Sequence, residues 1–94
     1  MLTWDENKRR KNLQDHGIDF ADLEAIFDLP LHSEEDRTEN HYELRLRSLG
    51  LLRGEIVLMI WAPASDGGRI ISCRYGDKYE TRKYFKSVLH SRTN

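Results

Sequence analysis

The stretch Ile56-Val-Leu-Met-Ile-Trp61 decides the fold, because six apolar residues rich in β-formers follow one another without a polar interruption. Such a run predicts a central strand. Before it, residues 42–47 alternate apolar and charged side chains, which is the pattern of a half-buried strand. After it, residues 69–75 predict a third strand. Short turns within 50–54 and 62–68 connect the three, so we expect an antiparallel meander.

The residues before the meander predict a short strand and two helices. Residues 2–4 form the strand, and a polar helix over 6–16 follows, with Asp5 as its N-cap and Gly17 as its left-handed C-cap. A second helix is predicted over 20–28, where apolar residues fall on one stripe. That stripe consists of Phe20, Leu23, Ile26 and Phe27.

The last part of the chain predicts a third helix over residues 78–90. Asp77 and Glu80 have the spacing of a capping box, and the side chains expected to face inward are Tyr84, Phe85, Val88 and Leu89. Residues 32–39 are expected to form a charged loop. The order β-α-α-β-β-β-α predicts a single α+β domain over residues 1–94, a small antiparallel sheet with one layer of helices packed on it.

Composition restricts the class of protein. The chain has 94 residues and one cysteine, Cys73, which rules out an internal disulfide or a multi-cysteine zinc site. The longest uncharged stretch, residues 56–65, is about half of a bilayer span and contains Pro63. The N-terminus does not have the layout of a signal peptide. We therefore expect a cytoplasmic protein without a membrane partner.

Charge is distributed unevenly, although the net charge is only −1. Residues 1–16 hold four Lys/Arg against three Asp/Glu, residues 17–68 hold four against eleven, and residues 69–94 hold seven against two. Two basic ends therefore flank an acidic middle. This asymmetry favours a surface for a polyanion or an acidic region that meets a basic partner, with unequal solvated faces as the alternative.

The residues available for chemistry are Arg, Lys, His, Glu and Tyr, because no Gly-rich phosphate loop or metal-binding spacing is present. Such a set suits cleavage of RNA without a metal ion, in which the 2′-hydroxyl attacks the phosphodiester. Lys8, Asn12 and His16 recur at intervals of four, so they share one helix face. That face is either a wall of a site or an ordinary solvated surface.

Four arginines on the predicted strands are candidates for binding phosphate, which the guanidinium fork suits. Arg45 and Arg47 face outward on the first meander strand. Arg69 and Arg74 fall on opposite faces of the third strand unless a bulge intervenes. For each arginine, pairing with a nearby glutamate such as Glu43 is the alternative.

The third helix carries further candidates. Glu80 is a general base, an orienting partner for an arginine, or simply the second half of the capping box. Tyr84 stacks a base or donates a proton, or it belongs to the core. Lys78 and Arg82, in the basic C-terminal part, are assigned to RNA binding.

Four motifs in order along the chain are similar to one known family. They are Trp4-Asp5-x-x-Lys8-x-x-x-Asn12-x-x-x-His16-Gly17-Ile18-x-Phe20, Phe27-Asp28-x-Pro30, Arg45-x-x-Ser48-Leu49-Gly50-x-x-x-Gly54, and Arg69-Ile70-Ile71-Ser72-Cys73-Arg74 followed by Glu80. In this combination the chain resembles the BrnT toxins.

The resemblance implies a ribonuclease toxin of a type II toxin–antitoxin system with a compact fold similar to that of RelE-type toxins. It implies an antitoxin of the BrnA type, whose ribbon-helix-helix domain contacts operator DNA and which forms a heterotetramer with the toxin. It further implies RNA cleavage that needs no metal or other cofactor. The catalytic positions it carries over are Lys8, His16, Arg45, Arg69, Arg74 and Glu80.

In this interpretation Arg74 and Arg69 clamp the scissile phosphate. His16 or Glu80 takes the 2′-hydroxyl proton, and Lys8 or Tyr84 assists the leaving oxygen. The alternative is a catalytically weak or inactive binding module that acts only in a partner or repressor complex. The low net charge, the acidic loop and Thr81, which stands where the family commonly has an arginine, favour that alternative.

Overall fold

The computed structural model describes residues 1–37 and 42–92, and these residues form five strands and three helices. In chain order they are β1 (Leu2–Trp4), α1 (Glu6–His16), a 3₁₀ helix (Phe20–Asp28), β2 (His32–Glu35), β3 (Leu46–Leu52), β4 (Glu55–Ala64), β5 (Gly67–Tyr75) and α2 (Lys78–Arg92). None of the helices described is long and apolar enough to cross a membrane.

All five strands form one sheet in the order β1-β5-β4-β3-β2. The predicted meander is confirmed, since β3, β4 and β5 are antiparallel neighbours. β1 adds to β5 in parallel, so the sheet is mixed, and the prediction of a wholly antiparallel sheet is wrong in this respect. The predicted α+β class is confirmed.

The prediction of a charged loop over 32–39 is wrong for its first part. Residues 32–35 form the edge strand β2, which pairs antiparallel with β3. Its side chains are polar and mostly exposed. Backbone hydrogen bonds hold such an edge strand, and its charges are typical of an exposed sheet edge. Residues 38–39 lie outside the described part of the chain.

The first meander strand, β3, begins later and ends later than predicted. β3 begins at Leu46 rather than at Tyr42, which is fully exposed. The turn to β4 consists of Arg53 and Gly54, both with positive φ, 50° and 83°. Two such residues are typical of a tight hairpin turn that matches the twist of the strands.

Helices cover both faces of the sheet, so the prediction of a single helical layer is wrong. On one face, the 3₁₀ helix packs on a core that includes Val57, Met59 and Trp61 of β4, while α1 lies along β5. On the other face, Tyr84 of α2 packs on Leu58 and its neighbours. The physical reason is the apolar run of β4, whose alternate side chains need cover on both sides.

The 3₁₀ geometry explains which residues of the second helix are buried. Phe20, Leu23 and Ile26 are three residues apart and all buried, which matches a helix with three residues per turn. Phe27 lies outside that stripe and packs edge-on against Trp61 with ring centroids 5.2 Å apart. The predicted inward position of Phe27 is therefore only partly correct.

Helix α2 follows its predicted bounds closely, and the capping box is confirmed. The Asp77 amide donates to Glu80 at 3.0 Å, and the Glu80 amide donates to Asp77 at 2.8 Å. Two of the predicted inward residues are not buried, since Phe85 is 45% and Leu89 is 62% exposed. The helix contacts the sheet along the narrower stripe that Tyr84 occupies.

Candidate functional site

A β-bulge in β5 determines which arginines share a face of the sheet. Ile60 pairs with Ser72 and Trp61 with Ile70, so Ile71 is an extra residue in β5. Because paired residues in neighbouring strands point to the same side, Arg69 and Arg74 both lie on the face that α2 covers in part. The sequence predicted opposite faces for Arg69 and Arg74 unless a bulge intervened, and this bulge is present.

Arg47 of β3 joins the same face. Its partner in β4 is Ile60, which packs in the core under α2. The hydrogen bonds from Arg74 are the main cause of the lowered pKa of Glu80, and the charge of Arg47 acts weakly in the same direction. The contact with Glu34 raises the pKa of Lys83, and the charge of Arg47 opposes that shift weakly. Arg47 was not among the candidate catalytic positions. The alternation of residues 42–47 is the signal that could have added it.

Arg74 is held by a two-point contact with Glu80. Its two terminal nitrogens donate to the two oxygens of the carboxylate at 2.9 and 3.0 Å. These hydrogen bonds raise the pKa of Arg74 and lower the pKa of Glu80. Glu80 also accepts the capping hydrogen bond from Asp77. A carboxylate that is ionised and engaged in this way fits the orienting role better than the role of a proton acceptor at neutral pH.

Arg45 and Arg69 form a second cationic position around Glu43. Arg69 donates to the Glu43 carboxylate, and the Nε of Arg45 lies 3.7 Å from the same carboxylate. Arg69 pairs with Ala62 in the sheet, whereas Arg74 pairs with Leu58, so the two arginines lie towards opposite ends of β5.

Lys8 and His16 lie at the open edge of β5, beyond the end of β1. They line a shallow cleft of about 310 Å³ between α1 and the bulged part of β5, where Ile71 and Ser72 form the other wall. Ser72 shares its face with Arg74, two residues further along the strand. The cleft therefore adjoins the arginine-bearing face.

Asn12, between Lys8 and His16 on α1, is a structural residue. It is buried, its Nδ2 donates to the Ile18 carbonyl, and its Oδ1 accepts from the Cys73 amide, both at 3.0 Å. It therefore fastens α1 along the edge of β5 and fixes where the cleft lies.

The three residues of α2 that were assigned to RNA binding differ in their exposure to solvent. Lys78 and Arg82 are exposed and line a surface depression with Thr81 at the start of α2. Tyr84 is 1% exposed, and its hydroxyl donates to the Pro30 carbonyl at 2.6 Å. Its assignment to RNA binding or proton donation is corrected, because a buried ring cannot stack on a base.

The structure thus places Arg47, Arg69 and Arg74 on one face of the sheet, and Lys8 and His16 in the cleft along its adjoining edge. Guanidinium groups can neutralise phosphate charge, and a histidine and a lysine at the edge can transfer protons. Among the described residues, no three His, Cys, Asp or Glu side chains are grouped as metal ligands would be.

Comparison with known families adds a decisive finding to this geometry. The family model described as ribonuclease toxin, BrnT, of type II toxin-antitoxin system matches residues 4–80. The chain belongs to this family. The matched residues include the whole of β5 and all the residues that line the cleft between α1 and β5. Membership in a type II system implies a protein antitoxin as partner. No curated protein matches the chain.

Proposed function

We propose that this BrnT-family protein is an endoribonuclease that cleaves RNA without a metal ion in the cytoplasm. The 2′-hydroxyl of the substrate attacks the neighbouring phosphate, and cationic side chains stabilise the charge that develops on the phosphate. The observation that carries the proposal is the β5 bulge, because it puts Arg69 and Arg74 on the same face as Arg47.

Each group has a proposed role. Arg74, oriented by Glu80, binds the scissile phosphate. Arg47 adds positive charge beside it. His16 accepts the 2′-hydroxyl proton and Lys8 assists the leaving oxygen, since both line the cleft at the edge of the same strand.

Cleavage of RNA by the purified protein in EDTA tests this proposal. We expect cleavage to continue in EDTA, and Arg74→Ala and His16→Ala each to reduce the rate at least about tenfold. Arg53→Ala is the matched control, because Arg53 lies at the β3–β4 turn and pairs with Asp22 at 3.0 Å. Loss of cleavage in EDTA, or full activity in both site variants, would overturn the mechanism.

For the partner, we propose a BrnA-type antitoxin with a ribbon-helix-helix domain that assembles with the toxin as a heterotetramer. In this assembly the antitoxin contacts operator DNA. The family membership supports the proposal, because type II toxins are neutralised by a protein. Co-expression with the neighbouring reading frame, followed by measurement of the mass of the complex by light scattering, tests partner and stoichiometry together.

A second candidate function is a binding module that acts in a partner complex with little or no cleavage. One observation favours it: carboxylates engage several of the cations described above. Glu80 binds Arg74, Glu43 binds Arg69, and Glu34 binds Lys83 at 2.6 Å. Expression of the toxin alone discriminates the two functions, since an active ribonuclease arrests growth and degrades RNA, whereas a binding module does neither.

A further inference from the structure

The contact among Arg45, Glu43 and Arg69 has the form of an occupied anion site. Two guanidinium groups, from either side of β4, engage one carboxylate. Arg69 pairs with Ala62 of β4, and Arg45 directly precedes β3 on the other side of β4. A carboxylate and a phosphate present similar planar pairs of oxygens to a guanidinium, so a site that holds one suits the other.

Glu43 is more exposed than Glu80 and is not part of a helix or strand. Glu43 lies in irregular chain before β3 and its side chain is 40% exposed. Glu80 is 12% exposed and fixed by the capping box at the start of α2. Exposed ion pairs are worth about 0–1 kcal/mol, so a phosphate of a polyanionic RNA strand, which the other cations of this face also attract, can displace Glu43 at small cost.

The Arg45–Arg69 position is separate from the position of Arg74. Arg69 and Arg74 are five residues apart in a bulged strand and bind different carboxylates. At about 3.3 Å per residue, their Cα atoms lie on the order of 15 Å apart. A single phosphate held against Arg74 and Glu80 therefore leaves Arg45 and Arg69 available for another phosphate of the same strand.

We propose that Arg45 and Arg69 form a second phosphate subsite, which binds a non-scissile phosphate of the RNA and which the Glu43 carboxylate occupies in the free protein. The identity of the ligand, a single-stranded RNA, rests on the proposed function. RNA binding replaces the Glu43 carboxylate with a phosphate, and Glu43 thereby lowers the affinity for RNA without taking part in cleavage.

The test measures affinity for a 2′-O-methyl RNA oligonucleotide, in which the proposed nucleophile is blocked. Glu43→Gln removes the competing charge, and we expect it to bind about three- to tenfold more tightly than the wild type at one fixed salt concentration. Glu24→Gln is the matched control for net charge, because Glu24 is exposed on the 3₁₀ helix, which packs on the opposite face of the sheet. We expect this control to change affinity less than twofold.

A double variant shows whether the gain comes from the subsite. In Glu43→Gln/Arg69→Gln the gain in affinity should disappear. Equal affinities for Glu43→Gln and Glu24→Gln, or a gain that persists without Arg69, would overturn the subsite. Thermal unfolding of each variant checks that it is folded. Because the oligonucleotide cannot be cleaved by 2′-hydroxyl attack, these results do not depend on whether the protein proves to be a ribonuclease, which the EDTA experiment decides.

Discussion

Two arginine–glutamate contacts on one face of the sheet differ in how firmly the backbone holds the carboxylate. Glu80 lies in the first turn of α2, closes a capping box with Asp77 and holds Arg74 at two points. Glu43 precedes a strand, is more exposed, and lies between two arginines. An arginine–glutamate contact can therefore have either of two opposite effects on phosphate binding. A fixed carboxylate orients an arginine for phosphate, whereas a more exposed one competes with phosphate.

The largest change in cleavage rate is expected for Arg74, and it should exceed the change for Arg69. Arg74→Ala should slow RNA cleavage about 100-fold, because removing one preorganised donor to the developing charge typically costs that much. Arg69→Ala should cost only about tenfold, as expected for a contact to a phosphate that does not react. Single-turnover cleavage at subsaturating protein, which reports kcat/KM, measures both. A greater loss for Arg69→Ala than for Arg74→Ala would reverse the assignment of the two positions.

Glu80→Gln should impair the orientation of Arg74 and lower the stability of the folded protein. The variant loses the charge that holds Arg74 and weakens the cap, so we expect about tenfold slower cleavage and about 1–2 kcal/mol lower free energy of unfolding. Urea denaturation and cleavage rates provide the two measurements. Asp77→Asn serves as a control that alters the cap but leaves the two hydrogen bonds between Arg74 and Glu80 in place. If it slows cleavage equally, the effect of Glu80 is on the helix and not on the arginine.

The stability that Glu80 contributes should depend on pH in a defined direction. Contact with Arg74 lowers the pKa of Glu80 from its ordinary value of 4.5 in the folded protein. Its contribution is therefore fully present above about pH 4.5 and is lost as the pH falls through the lowered pKa. The difference in unfolding free energy between wild type and Glu80→Gln should therefore shrink as the pH falls below about 4.5. A difference that grows on acidification would contradict the contact.

Glu43→Gln should have the smallest effect on folding. The Glu43 side chain is exposed and its loss should change the free energy of unfolding by less than about 0.5 kcal/mol. Urea denaturation beside Glu80→Gln gives the comparison directly. A loss as large as that of Glu80→Gln would mean that Glu43 is a structural anchor and not a displaceable group.

Local sequence signals predicted most of the elements because their causes are local. Asp5 and Gly17 bound α1, as expected of an N-cap and a left-handed C-cap, with Gly17 at a φ of 73°. The strands of the meander followed from alternation and from the apolar run of β4. Strand β2 escaped prediction because its backbone pairing with β3 leaves no pattern in four polar residues.

The candidate site was predicted by residue type but not by arrangement. Charge and motif singled out Arg69 and Arg74, yet their common face depends on one extra residue, Ile71, opposite β4. A bulge depends on the register of two strands, and one sequence does not encode that register in a simple pattern. The burial of Tyr84 likewise depends on the path of α2 over the sheet, which spacing alone does not determine.

The central claim is that the arginines on this face bind RNA together, and NMR of the arginine Nε–Hε groups tests it most directly. On titration with the 2′-O-methyl oligonucleotide, the signals of Arg47, Arg69 and Arg74 should shift together with one apparent affinity, while those of Arg9 and Arg53 stay in place. Shifts that concentrate on Arg9 and Arg53, with the other three unchanged, would contradict the claim.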